Sequence, residues 1–239
     1  MADVSAENPY GLVPALIQAG PIAWFLFAVL VIMSIASWYI LFTKFFEQRK
    51  MLAEAADVEK KVWSAASLKE GTAKLEKNSA FRQLADDGLR AFDHHDGKLT
   101  DQIDQHEWVT MSLNRTAGLI QTKLNSGLSL LASVGATAPF IGLLGTVIGI
   151  YRALINIGLA GQASIDKVAG PVGEALIMTA VGLAVAVPAV LAYNWLAGRN
   201  KAVMEKINTF AADVHGYLLS GARMARPVAS PAAPAPVKK

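Results

Sequence analysis

The sequence has no cysteine and comparatively few charged residues. The absence of cysteine excludes a disulfide framework, thiolate metal sites and a cysteine nucleophile. Charged residues make up 17% of the 239 residues, whereas soluble domains average about 25%. Hydrophobic residues make up 53% of the chain, and the mean hydropathy is positive. This composition indicates an integral membrane protein.

Three apolar segments are long enough to cross a bilayer, which needs about 20 residues of helix. They are residues 21–43, 126–151 and 168–198. The sequence therefore predicts an all-α integral membrane protein with three transmembrane helices. The first apolar run is longer than the core of a signal peptide, and Asp3 and Glu7 precede it in place of a basic start. We therefore expect the first helix to be a retained anchor.

Glu174 is the only acidic residue in the three apolar segments. An ionisable side chain at the centre of a bilayer costs about 2.5–3.5 kcal/mol on insertion scales, and such residues usually face a bundle interior or a water path. Glu174 is therefore the leading candidate for a group that takes up and releases protons. The alternative is a structural hydrogen bond to a neighbouring helix.

The distribution of lysine and arginine predicts the topology. Thirteen of the 22 lie between Lys44 and Lys123, and seven more lie at or after Arg199. Basic residues mark cytoplasmic segments, so we expect the N-terminus outside and the C-terminus in the cytoplasm. The predicted segments are an outer N-terminus 1–20, a cytoplasmic region 44–125, an outer loop 152–167, a cytoplasmic helical extension 199–225 and a disordered, proline-rich tail 226–239.

The cytoplasmic region has the pattern of a helical bundle and no enzyme motif. We expect several helices, broken near Gly71 and near 93–98. No proline lies between Asp101 and Pro139, so the second spanning helix is predicted to run without a break from the cytoplasm into the membrane. The third is predicted to continue beyond the membrane, because apolar residues recur at helical spacing at Val203, Ile207, Phe210, Val214 and Tyr217.

Small residues follow one face of the second spanning helix, which predicts close helix packing. Gly145 and Gly149 form a small-xxx-small pair within that row. Proline within a spanning helix leaves a carbonyl oxygen one turn earlier without its usual donor. Ordinary helix packing explains the row without any transport role. The predicted packing residues are Ala138, Pro139, Gly142, Gly145, Gly149, Gly182 and Pro188.

Two threonines accompany Glu174 in the spanning segments. Counted from the ends of the outer loop, Thr146 and Glu174 both lie roughly 10 Å into the membrane, so they can share one layer. Thr179 lies about 7–8 Å deeper and roughly 140° around the helix from Glu174. The two residues therefore face one pathway only if that face is broad. For each threonine alone, a hydroxyl bonded to its own preceding turn is the simpler interpretation.

Two motifs resemble the ExbB/TolQ/MotA proton-channel family. The run GATAPFIGLLGTVIGI, from Gly135 to Ile150, is similar to the second transmembrane helix of that family. The run VAGPVGEALIMTAVGL, from Val168 to Leu183, is similar to the third, and Val187-Pro188-Ala189 and Tyr193-Asn194 continue it. The general character of the chain favours the ExbB branch over the TolQ branch.

The resemblance implies a homopentamer whose second and third helices line a central pore. It also implies a single-helix ExbD-like partner inside the pore, association with TonB, and a proton flow through the bacterial inner membrane that energises import of siderophores and other nutrients. By motif position, Glu174, Thr146 and Thr179 match the polar pore-lining residues of the family. The N-terminus would then be periplasmic, and no enzyme activity or cofactor is implied.

Other functions remain open at this point. A TolQ-like or flagellar-stator-like role belongs to the same class, whereas a passive membrane scaffold would tolerate the loss of Glu174. An independent small-solute transporter lacks an internal repeat. His94 and His95 lie in a polar turn that we interpret as solvated, and we expect no metal. The net charge of +3 is small, so Lys44 and its basic neighbours are expected to meet anionic lipid headgroups, with no nucleic acid bound.

Overall fold

The computed structural model describes residues 12–94, 104–160 and 165–221. Within these ranges the chain forms six α helices and no strand. Three of the helical stretches are long and apolar enough to cross a membrane, which confirms the predicted all-α fold with three candidate spanning helices. The helices are α1 (Leu12–Lys61), α2 (Leu68–Ala73), α3 (Ala80–Asp93), α4 (Gln105–Asn125), α5 (Leu128–Ala160) and α6 (Ile165–Ser220).

The helices belong to two compact units. Unit 1 comprises Met1–Lys50 and Thr122–Ala202, and unit 2 comprises Met51–Gln121 and Val203–Lys239. Unit 1 contains the three predicted membrane segments. Unit 2 contains α2, α3 and most of α4, together with the C-terminal end of α6. The predicted tail 226–239 lies outside the described residues.

A kink divides α1 immediately before the predicted membrane segment. Gly20 has φ 72° and ψ −174°, which interrupts the helix, and Pro21 follows it. Glycine adopts positive φ without the steric cost that a Cβ would impose. Proline is well suited to the first position of the helix that follows, because its missing N–H has no intrahelical partner there. The kink therefore gives the membrane segment of α1 a defined start.

The prediction of one unbroken second helix is wrong. The helix stops at Asn125 and restarts at Leu128, and Gly127 between them has φ 83°. A glycine in the left-handed conformation is a common helix terminator, and a search for proline alone does not detect it. In contrast, α6 runs from Ile165 to Ser220 without interruption, so its predicted continuation is confirmed.

The break leaves carbonyl groups at the end of α4 without their helical hydrogen-bond donors, and side chains of α1 and α6 donate to these groups. Lys44 donates from Nζ to the carbonyl oxygen of Lys123 at 2.9 Å, and Asn200 donates from Nδ2 to that of Leu124 at 3.1 Å. Gln48, which is fully buried, donates to Asn200 Oδ1 at 2.6 Å. Lys44 is only 8% exposed, so the expectation that it meets lipid headgroups is wrong.

Replacement of Lys44 by methionine should destabilise unit 1 by about 2–3 kcal/mol. The change removes the partner of Glu47, whose Oε2 lies 2.8 Å from Nζ. It also removes one of the two side-chain donors to the Lys123 carbonyl, the other being Ser126 Oγ at 2.7 Å. Breaking a fully buried ion pair costs about 3–5 kcal/mol, and Glu47 is partly exposed, so the cost is lower. Thermal unfolding of the purified protein measures the loss.

Lys61→Met provides the matched control for Lys44→Met. Lys61 pairs with Asp57 at 2.7 Å on an exposed surface, where such pairs contribute about 0–1 kcal/mol. Equal losses of stability in the two variants would contradict the structural role assigned to Lys44.

Unit 2 has its own core, to which the C-terminal end of α6 contributes one buried face. Val203, Ile207, Phe210 and Val214 are buried, which confirms the predicted apolar stripe. The Phe210 ring lies against Trp63 and Phe81, with centroids 5.9 and 5.5 Å away.

The predicted helix break near Gly71 is present, because α2 ends at Ala73 and α3 begins at Ala80, but Gly71 itself does not cause the break. It lies inside α2, where a Cβ would come within 2.5 Å of the carbonyl oxygen of Val62. Its role is therefore close backbone approach, a property that sequence position alone does not distinguish from a helix break.

Candidate functional site

The backbones of α5 and α6 approach each other closely at two glycines. A Cβ on Gly142 would lie 2.7 Å from the carbonyl oxygen of Met178, and a Cβ on Gly182 would lie 2.7 Å from that of Ala138. Both distances are shorter than any normal contact, so the two backbones can meet only because neither residue has a side chain. Ala138 is itself fully buried. These residues hold α5 against α6 within one chain.

The remaining small residues extend this contact along α5. A Cβ on Gly145 would lie 2.9 Å from Cβ of Met178, and Gly149 is buried. Pro139 lies within α5 and is half-buried. Pro188 lies beside a small pocket between α6 and α1. The row of small residues therefore lies in a contact within a single chain, where it determines how closely α5 packs against α6.

Thr146 and Thr179 meet across this contact. Their Oγ1 atoms are hydrogen-bonded to each other. Thr146 Oγ1 also lies 3.0 Å from the carbonyl oxygen of Ala175 and 3.3 Å from that of Gly142, one turn earlier on its own helix. The predicted bond to the preceding turn is therefore present for Thr146, together with two polar contacts to α6.

Thr146 contacts two groups that lie one turn apart on α6, the Ala175 carbonyl and the Thr179 hydroxyl. Ala175 and Thr179 are four residues apart, which places them on the same side of the helix, and Ala175 is only 1% exposed. Glu174 directly precedes Ala175 in α6, and its side chain lies outside the described part of the structure. Thr146 thus contacts the backbone carbonyl of the residue that follows the predicted proton-carrying carboxylate, and Thr179 lies five residues after that carboxylate in the chain.

Large apolar side chains cover the sides of α5 and α6 that do not face each other. In the single chain they remain exposed, although water would not tolerate so much apolar surface on a soluble monomer. A bilayer or further protein must therefore cover them. The exposed residues include Phe140, Leu143, Leu144, Val147, Tyr151, Leu154, Leu176, Leu183, Val187 and Leu191.

Unit 2 contains two histidines whose contact was not predicted from the sequence. The rings of His106, on α4, and His215, on α6, have centroids 4.6 Å apart. Thr110 Oγ1 lies 3.1 Å from His215 Nε2. Burial lowers the pKa of His215, and the neighbouring His106 lowers it further. A separation of more than 100 residues gives no signal for this contact.

Among the residues that the structure describes, no group of three or more potential ligands is suitably placed for a metal ion. His94 caps the C-terminus of α3, and His95 lies outside the described residues.

Comparison with known proteins identifies relatives over most of the chain. A profile described as the MotA/TolQ/ExbB proton channel family matches residues 76–209. The chain is 43% identical over 212 residues to the biopolymer transport protein ExbB of Xanthomonas campestris pv. campestris, a match that covers 85% of this chain and 84% of that protein.

Two further relatives represent the ExbB and TolQ branches. The identity is 37% over 205 residues to the biopolymer transport protein ExbB of Neisseria meningitidis, covering 84% of this chain and 93% of that one. It is 30% over 198 residues to the Tol-Pal system protein TolQ of Pseudomonas aeruginosa, covering 79% and 84%.

Proposed function

We infer that this chain, which belongs to the MotA/TolQ/ExbB proton channel family, is the ExbB-type subunit of a motor driven by the proton-motive force. In this proposal it lies in the bacterial inner membrane with its N-terminus in the periplasm and its C-terminus in the cytoplasm. It acts with an ExbD-like single-helix partner and TonB to energise nutrient import, siderophores included, across the outer membrane. Names of relatives at 43% and 37% identity support the ExbB branch.

The observation that carries the proposal is the threonine pair, in which Thr146 contacts the backbone carbonyl of Ala175, the residue next to Glu174. Hydroxyl groups both donate and accept hydrogen bonds, so the Thr146–Thr179 pair can pass a proton between an acceptor and a donor. Glu174 is the only carboxylate in the three apolar segments and is the group that binds and releases the proton. The three residues form the proton path, and the α5–α6 contact fixes the spacing of the two threonines.

The proposed assembly is a homopentameric ring with α5 and α6 around a central pore. The exposed apolar residues of α5 and α6 support an assembly, because one chain leaves them without protein contacts. One elementary charge that crosses 100 mV releases about 2.3 kcal/mol. A mechanical step therefore needs several protons, which a ring with one Glu174 per subunit can supply.

Thr146→Val should reduce proton flux by about fivefold, at unchanged assembly. Valine has nearly the same shape, and the change removes a hydroxyl whose hydrogen bonds contribute about 1 kcal/mol. Proton flux into vesicles that contain the protein and its ExbD-like partner measures the effect.

Thr137→Val is the control for Thr146→Val. Thr137 lies on the same helix, is exposed, and its hydroxyl donates to the Ser133 carbonyl at 2.8 Å. If Thr146→Val lowers the unfolding temperature but leaves the flux unchanged, the threonine pair serves packing alone and the proposed path is wrong.

A TolQ-type role is the second candidate, supported by the 30% identity to a Tol-Pal system protein TolQ. The two roles differ in the process that they energise. Restoration of iron-chelate uptake in cells without their own ExbB supports the ExbB role. Restoration of detergent resistance in cells without TolQ, with no restoration of uptake, supports the TolQ role.

A further inference from the structure

A basic side chain lies on two aromatic rings at the cytoplasmic end of unit 1. Arg199 follows the last residue of the third predicted membrane segment. Its guanidinium carbon lies 5.6 Å from the ring centroid of Phe45 and 5.1 Å from that of Trp195. The two rings stack on each other, with centroids 5.5 Å apart and planes 27° apart. Arg199 is thus held by contacts to both α1 and α6.

One hydrogen bond orients the side chain of Arg199 and leaves its two terminal nitrogens available as donors. Its Nε donates to Oε1 of the buried Gln48 at 3.1 Å, which fixes the plane of the guanidinium. Within the described part of the chain, its two terminal nitrogens have no protein acceptor. Glu47, the carboxylate closest to Phe45 in sequence, is bonded to Lys44 at 2.8 Å. The two terminal nitrogens can therefore bind an anion in a fork.

An apolar surface leads from the membrane to this guanidinium. Leu191, Trp195 and Arg199 follow each other at intervals of four on α6, which places them on one face of the helix. On α1, Phe42 and Phe46 are separated by the same interval. Leu191, Trp195, Phe42 and Phe46 are all exposed. The surface has the form of an apolar strip that ends in a positive charge at the expected depth of the headgroups.

We propose that this strip, formed by Phe42, Phe45, Phe46, Leu191, Trp195 and Arg199, binds one anionic phospholipid on the cytoplasmic side. The phosphate accepts hydrogen bonds from the terminal nitrogens of Arg199, and an acyl chain lies along the exposed rings. Charge complementarity identifies a negative headgroup. The apolar strip identifies a lipid, because free phosphate gains nothing from it. Lys44, the residue first expected in this role, is buried and already bonded.

The experiment is native mass spectrometry of the intact oligomer, purified in detergent and exposed to dioleoylphosphatidylglycerol or dioleoylphosphatidylcholine. The wild-type protein should retain the anionic lipid in preference to the zwitterionic one. Arg199→Gln should weaken retention of the anionic lipid about tenfold, because it removes the fork and the contact with the rings. Arg199→Lys should weaken it by a smaller factor, since the charge remains without the planar fork.

Arg49→Gln is the matched control. Arg49 is exposed on α1, close in sequence to Phe45, and its replacement makes the same change in charge. The proposal is contradicted if Arg49→Gln and Arg199→Gln reduce lipid retention equally, because the lipid would then respond to net charge alone. It is also contradicted if inorganic phosphate at millimolar concentration displaces the lipid, or if both lipids are retained alike.

A third contradictory result concerns assembly. If Arg199→Gln changes the number of subunits and leaves the lipid bound per subunit unchanged, then a second copy of the chain covers this strip. Since the lipid measurement does not depend on proton flux, its failure leaves the proposed energising function untouched.

Discussion

Glu174→Gln is expected to abolish energised uptake of an iron chelate in cells that depend on this protein and the proposed ExbD-like partner. Glutamine has nearly the same size but cannot bind and release a proton. A positioned proton-transfer group contributes about a hundredfold or more to rate, so uptake should fall to the background of cells without the protein. Uptake of the radiolabelled chelate, at matched protein levels, measures the loss.

Glu205→Gln is the control for this prediction. Glu205 lies on the same helix, in unit 2, and is exposed, so its replacement makes the same chemical change outside the proposed path. The two variants should assemble to the same size. Full uptake with Glu174→Gln would mean that the carboxylate is structural, and a scaffold function would then explain the chain better than a proton-driven one.

Gly142→Ala is expected to cause a large loss of stability. The added methyl group would lie 2.7 Å from the carbonyl oxygen of Met178 and 3.1 Å from Cα of Thr179. Both atoms belong to backbone, so α5 and α6 must separate. Overpacking costs about 1–3 kcal/mol, and the upper end corresponds to a fall in unfolding temperature of roughly 6–12 °C for a chain of this size. Tryptophan fluorescence during heating measures it.

Gly198→Ala tests whether the loss comes from the close approach. Gly198 lies within the same long helix as Gly182, and a Cβ there would meet nothing within 4 Å. Alanine favours a helix over glycine by about 0.8–1.0 kcal/mol, so the unfolding temperature should stay the same or rise. A similar fall in the two variants would show that the α5–α6 crossing does not depend on the absence of a side chain at Gly142.

The main architecture follows from local patterns in the sequence. Apolar runs of sufficient length predict the spanning helices, and the spacing of Val203, Ile207 and Phe210 predicts the buried face at the end of α6. Helical rise along two antiparallel segments places Thr146 near the level of Glu174. Each of these inferences uses only helix geometry and hydrophobicity, which depend on neighbouring residues.

The contacts between distant segments could not be predicted from these local patterns. The break at Gly127 depends on donors from Lys44 and Asn200, which lie 83 residues before it and 73 residues after it. The angle of 140° between Glu174 and Thr179 gave no indication that Thr179 would meet Thr146, because that contact depends on how α5 crosses α6. The burial of Lys44 likewise depends on tertiary packing, since its position next to an apolar run is typical of a headgroup contact.

The most direct test of the account is the proton permeability of vesicles that contain the purified protein and its ExbD-like partner, under an imposed pH gradient and membrane potential. We expect wild-type vesicles to take up protons, Thr146→Val vesicles to do so more slowly, and Glu174→Gln vesicles to match protein-free controls. Equal proton uptake by wild-type and Glu174→Gln vesicles, with both complexes fully assembled, would contradict the claim that the α5–α6 pair carries the proton path.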